Sequence, residues 1–73
     1  MIDWYYLKNV KDCAPNRYRN LELMAQGYTY QEIAEIRCVE PGTVKNQVRA
    51  LKQIVGAKTS THLISLAYQA GIL

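Results

Sequence analysis

Residues 29–56, TYQEIAEIRCVEPGTVKNQVRALKQIVG, read as two short helices joined by a tight turn. Thr29 followed three residues later by Glu32 is a capping box, in which the hydroxyl accepts from the Glu32 amide and the carboxylate reaches back to the Thr29 amide. A helix therefore begins at Tyr30. It is short, because Pro41 disfavours helical geometry at Glu40 and is itself suited to the first turn of a new helix, where its missing N–H costs nothing. The two helices abut across roughly Arg37 to Glu40. In the second, Val44, Val48, Leu51 and Val55 fall at spacings of four, three and four, which places them on one helical stripe aimed at a core. At about 100° per residue, Gly42, Asn46, Arg49 and Gln53 then point away from the core. Lys45 and Lys52 lie on one shoulder, Thr43 and Gln47 on the other. None of these outward residues is acidic, and each offers a hydrogen-bonding group or is too small to block approach. This is the layout of a helix-turn-helix.

A polar helix face is ordinarily just solvated, and lysines on it keep a protein soluble. The charge distribution carries the argument further. From Pro41 to Leu73 there are four Lys/Arg (Lys45, Arg49, Lys52, Lys58) and no Asp or Glu, whereas residues 1–40 are close to neutral. A one-sided field of this kind suits polyanion binding, because each neutralised phosphate releases counterions. The overall charge of +3 says little by itself.

The segment LELMAQGYTYQEIAEI, continued by VEPGTVKNQVRALKQIVGAK and THLISLAYQAGIL, resembles the DNA-binding domain of the LuxR-type (GerE-like) bacterial transcription regulators. The resemblance covers about residues 13–73, and AQG, EIA, PGTVKN, VGAK and LAYQAGIL follow in the family's order and spacing without a gap. It implies an all-α fold: a compact four-helix domain over 13–73, its third helix (about 41–55) in the major groove and its fourth at a twofold dimer contact. Matched position by position, Lys45, Asn46 and Arg49 are expected to approach bases, and Thr43, Gln47 and Lys58 the sugar-phosphate backbone. The helical geometry agrees independently for Asn46 and Arg49, and in part for Lys45, which sits on a shoulder. Arg49 suits a guanine edge; Asn46 suits adenine or, near the helix start, a phosphate. Lys52 is either a further backbone contact or a solvated stem covering apolar surface.

Several residues depart from the family's pattern. The first helix of such domains often opens with a Thr–Glu capping box; here Cys13, Ala14, Pro15, Asn16 and Arg17 occupy the region and both halves of the box are gone. Loss of such a cap costs on the order of 1 kcal/mol. Asp12, Asn16 or the extra N-terminal segment is the candidate replacement. Asn20 stands at a position usually apolar, Arg37 at one usually Leu, and Glu40 where a capping Ser is common.

Residues 1–12 lie outside the resemblance. Asp3 is placed to cap a short extra helix in which Trp4, Leu7 and Val10 recur every three residues, with Tyr5 and Tyr6 adding amphipathic surface. This helix either covers the start of the first core helix or forms a partner or dimer surface. Tyr28 and Tyr30, flanking the cap at Thr29, are expected to pack rather than to stack on bases. The last helix should begin near Thr59 or Ser60 and end at Gly71. It carries two apolar stripes, one of Leu63, Leu66, Ala67 and Ala70, the other of Ile64, Tyr68 and Ile72. The second stripe is expected at a homodimer interface, unless a small domain wraps the helix deeply enough to bury both.

Seventy-three residues make one domain with a small core, and a 49% hydrophobic share is ample for a helical bundle. No apolar run approaches the ~20 residues needed to span a bilayer, and no signal peptide is present, so a cytoplasmic, nucleoid-associated bacterial protein is expected. Cys13 and Cys38 are far apart and lack partners at ligand spacing, so no metal is expected, and Cys38 is read as a small buried hydrophobe. The single histidine, His62, has no nucleophile or carboxylate nearby in sequence, and there is no Gly-rich phosphate loop; neither an enzyme nor a cofactor is expected. The chain is thus expected to be either a dimeric regulator that reads double-stranded DNA, or a helix-turn-helix protein acting by contact with a larger regulator. With no receiver or ligand-binding domain expected, control falls to abundance or a partner.

Overall fold

The computed structural model describes residues 1–73 and is all-helical. Five helices, α1 (Trp4–Cys13), α2 (Pro15–Ala25), α3 (Tyr30–Arg37), α4 (Pro41–Val55) and α5 (Ser60–Gln69), surround one apolar core. Leu7, Leu21, Ile33, Leu51 and Leu63, one large side chain from each helix, are its largest fully buried aliphatic residues.

The turn between α3 and α4 forms as its residues demand. Thr29 Oγ1 accepts from the Glu32 amide at 3.2 Å and Glu32 Oε1 from the Thr29 amide at 2.9 Å, which completes the capping box. The exit uses a left-handed residue, Cys38 at φ 57°, followed by a Val39 amide that donates to the Ala34 carbonyl at 3.0 Å. This closure gives the Ala34 and Glu35 carbonyls their partners and turns Val39 towards the core. Cys38 is therefore exposed, which corrects its reading as a buried hydrophobe: the left-handed step gives the inward place to its neighbour. Glu40 is extended, φ −70° and ψ 143°, ahead of Pro41 in the first turn of α4. Val44, Val48, Leu51 and Val55 are all buried.

The N-terminal segment is built into the domain. Asp3 caps α1 by accepting from the Tyr6 amide at 2.9 Å, while its own amide donates to the Val55 carbonyl at the end of α4 at 2.8 Å. Leu7 and Val10 are fully buried, but Trp4 is 38% exposed. A three-residue repeat drifts about 60° per step on an α-helix, so one buried stripe cannot hold all three. Tyr6 takes the inward place instead, half-buried, with its hydroxyl accepting from Arg17 at 3.0 Å.

The first core helix has no side-chain cap at all. Neither Asp12 nor Asn16 supplies one. Pro15 at the first helical position removes one unsatisfied donor, and α1, which shares Ala14 with α2 as the cap between them, packs along α2. Lys11 lies 5.7 Å from the centre of the Tyr18 ring, and the Tyr18 hydroxyl donates to the Ile72 carbonyl at 2.9 Å, which pins the C-terminus to α2.

Helix α5 is capped by Thr59, whose Oγ1 accepts from the His62 amide at 3.0 Å. It ends at Gln69, two residues before Gly71, with Ala70 as its cap. Leu63, Leu66 and Ala67 are buried. The second stripe divides: Ile64 and Ile72 are half-buried against the core, and only Tyr68, 56% exposed, stands out in solvent. Tyr30 is half-buried and its hydroxyl lies 3.0 Å from Ser60 Oγ, joining the starts of α3 and α5, whereas Tyr28 is exposed. No helix is long and apolar enough to cross a membrane.

Candidate nucleic-acid interface

The outer face of α4 follows from burying its valines. With Val44, Val48, Leu51 and Val55 inside, Lys45, Asn46, Arg49 and Gln53 are exposed, and so is Thr43 in the first turn. A Cβ placed on Gly42 would meet nothing within 4 Å, so the backbone at the start of α4 is open to close approach. No acidic residue lies in α4. The molecule's one ion pair is Arg19 with Glu22 at 3.5 Å, which leaves Lys45, Arg49, Lys52 and Lys58 without a carboxylate partner.

Lys58 is held apart from α4, on the turn to α5. Its amide donates to His62 Nδ1 at 3.0 Å, which ties the turn to the first turn of α5 and leaves the Lys58 side chain exposed. Lys52 is half-buried. Its stem covers apolar surface whichever role the ammonium takes.

Gln47 is placed differently from the other outward residues. It is half-buried, and its Oε1 accepts from both Asn20 Nδ2 at 2.9 Å and Arg37 Nη1 at 2.7 Å. Arg37 Nη1 also donates to Asn20 Oδ1 at 2.6 Å, closing a triangle between α2, α3 and α4. Asn20 is the one fully buried polar residue, and no buried side-chain polar atom lacks a partner. The amide orientations are forced. A guanidinium only donates, so both amides must turn oxygen towards Arg37, and Asn20 is left with Nδ2 facing the Gln47 oxygen. The Gln47 carbonyl oxygen is thus withdrawn from any ligand, and only its Nε2 remains available.

The sequence reading therefore located the helix and its exposed polar face but missed this triangle. Its signal was present: Asn20 and Arg37 are the two polar substitutions at positions where the resembled family is apolar, and they are found to meet.

Of the three residues expected at a dimer contact, only Tyr68 is freely exposed. Ile64 lines a cleft of about 350 Å³ with Tyr28 and Tyr30, and Ile72 a second of about 290 Å³ with Tyr18 and Tyr68. No protein-family model, curated protein or solved structure matches the chain.

Proposed function

We propose that this chain is a sequence-specific DNA-binding transcription regulator of the LuxR type, reading the major groove with α4 and binding as a homodimer through α5. The observation that carries the reading is the exposed face of α4. Asn46 and Arg49 stand opposite the buried valine stripe, Lys45 flanks them, and no carboxylate competes for these donors. A helix of 15 residues spans about 22 Å. That is long enough to lay its N-terminal turns into a groove ~12 Å wide while its other end stays anchored. The Asp3–Val55 hydrogen bond provides that anchor.

In this arrangement Arg49 and Asn46 address base edges with Lys45, and Thr43, Lys52, Lys58 and the Nε2 of Gln47 address phosphates. Selection of bound duplexes from a random pool at fixed salt tests the proposal: a shared motif with two related half-sites is the expected result. Enrichment of no motif by a folded protein overturns sequence-specific reading.

A second reading, action through a protein partner, is favoured by Tyr5, 81% exposed on α1 next to the partly exposed Trp4. Under that reading Tyr5→Ser impairs regulation in cells and leaves duplex binding unchanged.

A further inference from the structure

The Asn20–Arg37–Gln47 triangle has one property that packing alone does not explain. It contains a full positive charge and no negative one. Arg37 is half-buried and spends one nitrogen, Nη1, on two neutral amide oxygens. Its Nε and Nη2 make no hydrogen bond within the chain, and because no buried polar atom is unpartnered, both reach the surface. No carboxylate lies within 4.0 Å. Partial desolvation of a cation is unfavourable unless an anion compensates. The two surface nitrogens of Arg37 face solvent and are free to take an anion from outside.

We propose that Arg37 joins Gln47, already expected at the sugar-phosphate backbone, in a site for one phosphodiester of a DNA duplex, with buried Asn20 holding the two side chains in register. The proposal rests on the DNA reading above and adds to it a contact from the turn side of the helix pair. Gln47 Nε2 supplies a neutral donor and the outer edge of Arg37 supplies the charge. The Thr43 hydroxyl, four residues before Gln47 on the same shoulder of α4, is exposed and makes no hydrogen bond within the chain. Thr43 and Gln47 share one shoulder of α4 by their four-residue spacing and Arg37 adjoins Gln47, and a planar guanidinium edge matches two phosphate oxygens. Asn20 acts as a positioning residue: its Oδ1 fixes the guanidinium and its Nδ2 holds the Gln47 oxygen inward, so that Nε2 faces out.

The test is the salt dependence of duplex binding by the wild type and by an Asn20→Val/Arg37→Leu variant, in which an apolar pair replaces the polar one. Each phosphate contact contributes about 0.9 to the slope of log K against log salt. The variant is expected to have a slope shallower by about 0.9, on the selected site and on unrelated duplexes alike. Between 0.05 and 0.2 M salt it then loses about threefold less affinity than the wild type. An equal slope, whatever the change in affinity, reduces the triangle to a packing device and overturns the proposal. Wild-type protein that binds no duplex overturns the DNA reading together with this site, so the two failures are separable. A nuclear magnetic resonance titration of the wild type with duplex gives an answer that does not depend on the variant folding. The Arg37 Nε–H and Gln47 Nε2 signals should shift on binding, and signals unmoved at saturation also overturn the proposal.

Discussion

Arg37→Leu removes the only charge from the triangle and leaves two oxygens facing an apolar side chain. Asn20 Oδ1, in a fully buried residue, loses its one donor, whereas Gln47 Oε1 keeps the bond from Asn20 Nδ2. An unsatisfied buried acceptor costs about 1–3 kcal/mol, and only one of the two oxygens is left in that state. Leucine restores some apolar contact at the half-buried site, so a net loss of about 2 kcal/mol is expected. For a domain of this size that lowers the melting temperature by roughly 10–15 °C. Adding Asn20→Val removes the orphaned acceptor and fills its place with a side chain of similar volume; Gln47 Oε1 then loses its last donor as well, but Gln47 is half-buried and its amide can turn to water, so the double variant should recover part of the loss. Thermal and urea melts of the wild type, both single variants and the double, followed by circular dichroism, form a complete double-mutant cycle. A coupling of about 1–2 kcal/mol is expected, well above the ~0.5 kcal/mol typical of independent sites. If the two single effects simply add, the three side chains do not act as a unit and the reasoning from the triangle fails.

Arg49→Ala should lower affinity for the selected site by about 1–3 kcal/mol and much less for unrelated duplexes, as measured by titration at one salt concentration; equal losses would demote Arg49 to a phosphate contact. Lys58→Ala should weaken all duplexes alike, and a changed base preference in a repeated selection would contradict that role. Tyr68→Glu is the clean probe of the dimer surface because Tyr68 is exposed and its replacement leaves the core intact, unlike Ile64→Glu. It should give a folded monomer that loses cooperative binding to half-sites about one helical turn, ~10 bp, apart; sedimentation and footprinting that show unchanged cooperativity would exclude α5 as the contact. Gly56→Ala should destabilise the domain by more than about 1 kcal/mol, since a left-handed alanine is strained. Gly56 has φ 90° and its Cβ would lie 2.7 Å from the Met1 carbonyl oxygen; a melt within ~1 °C of wild type would show that the N-terminus is not docked there.

Every feature that the chain announces in advance is decided within about one helical turn. The capping box at Thr29 and the stripe from Val44 to Val55 depend on residues three or four apart, and the break at Glu40–Pro41 on adjacent ones, so backbone geometry alone dictates each. The exposed face of α4 follows from that stripe, so Asn46 and Arg49 were legible as outward residues. The local signals fail where several local solutions exist. At the start of α2, Asp12 and Asn16 both have capping side chains, yet the helix closes without either because α1 packs against it and Pro15 needs no partner. Trp4, Leu7 and Val10 look equivalent by spacing; the position of α1 over α2 and α4 admits the last two and Tyr6.

The sequence alone determined an all-helical chain with a helix-turn-helix at residues 29–56 and an unneutralised polar face on its second helix, because periodicity, caps and prolines act through the backbone. Only the tertiary structure decided what the long-range pairs do. Asn20 and Gln47 are 27 residues apart and Arg37 lies between them, so no spacing rule joins them; they meet because α2, α3 and α4 cross at that point. The same crossing turns the Gln47 oxygen inward. Docking of α5 half-buries Ile64 and leaves Tyr68 exposed, while Ile72, beyond the helix end, is half-buried in the C-terminal turn held by Tyr18. A periodic pattern specifies which side chains share a helix face, but how much of that face the neighbouring helices cover depends on their approach, which no single helix encodes.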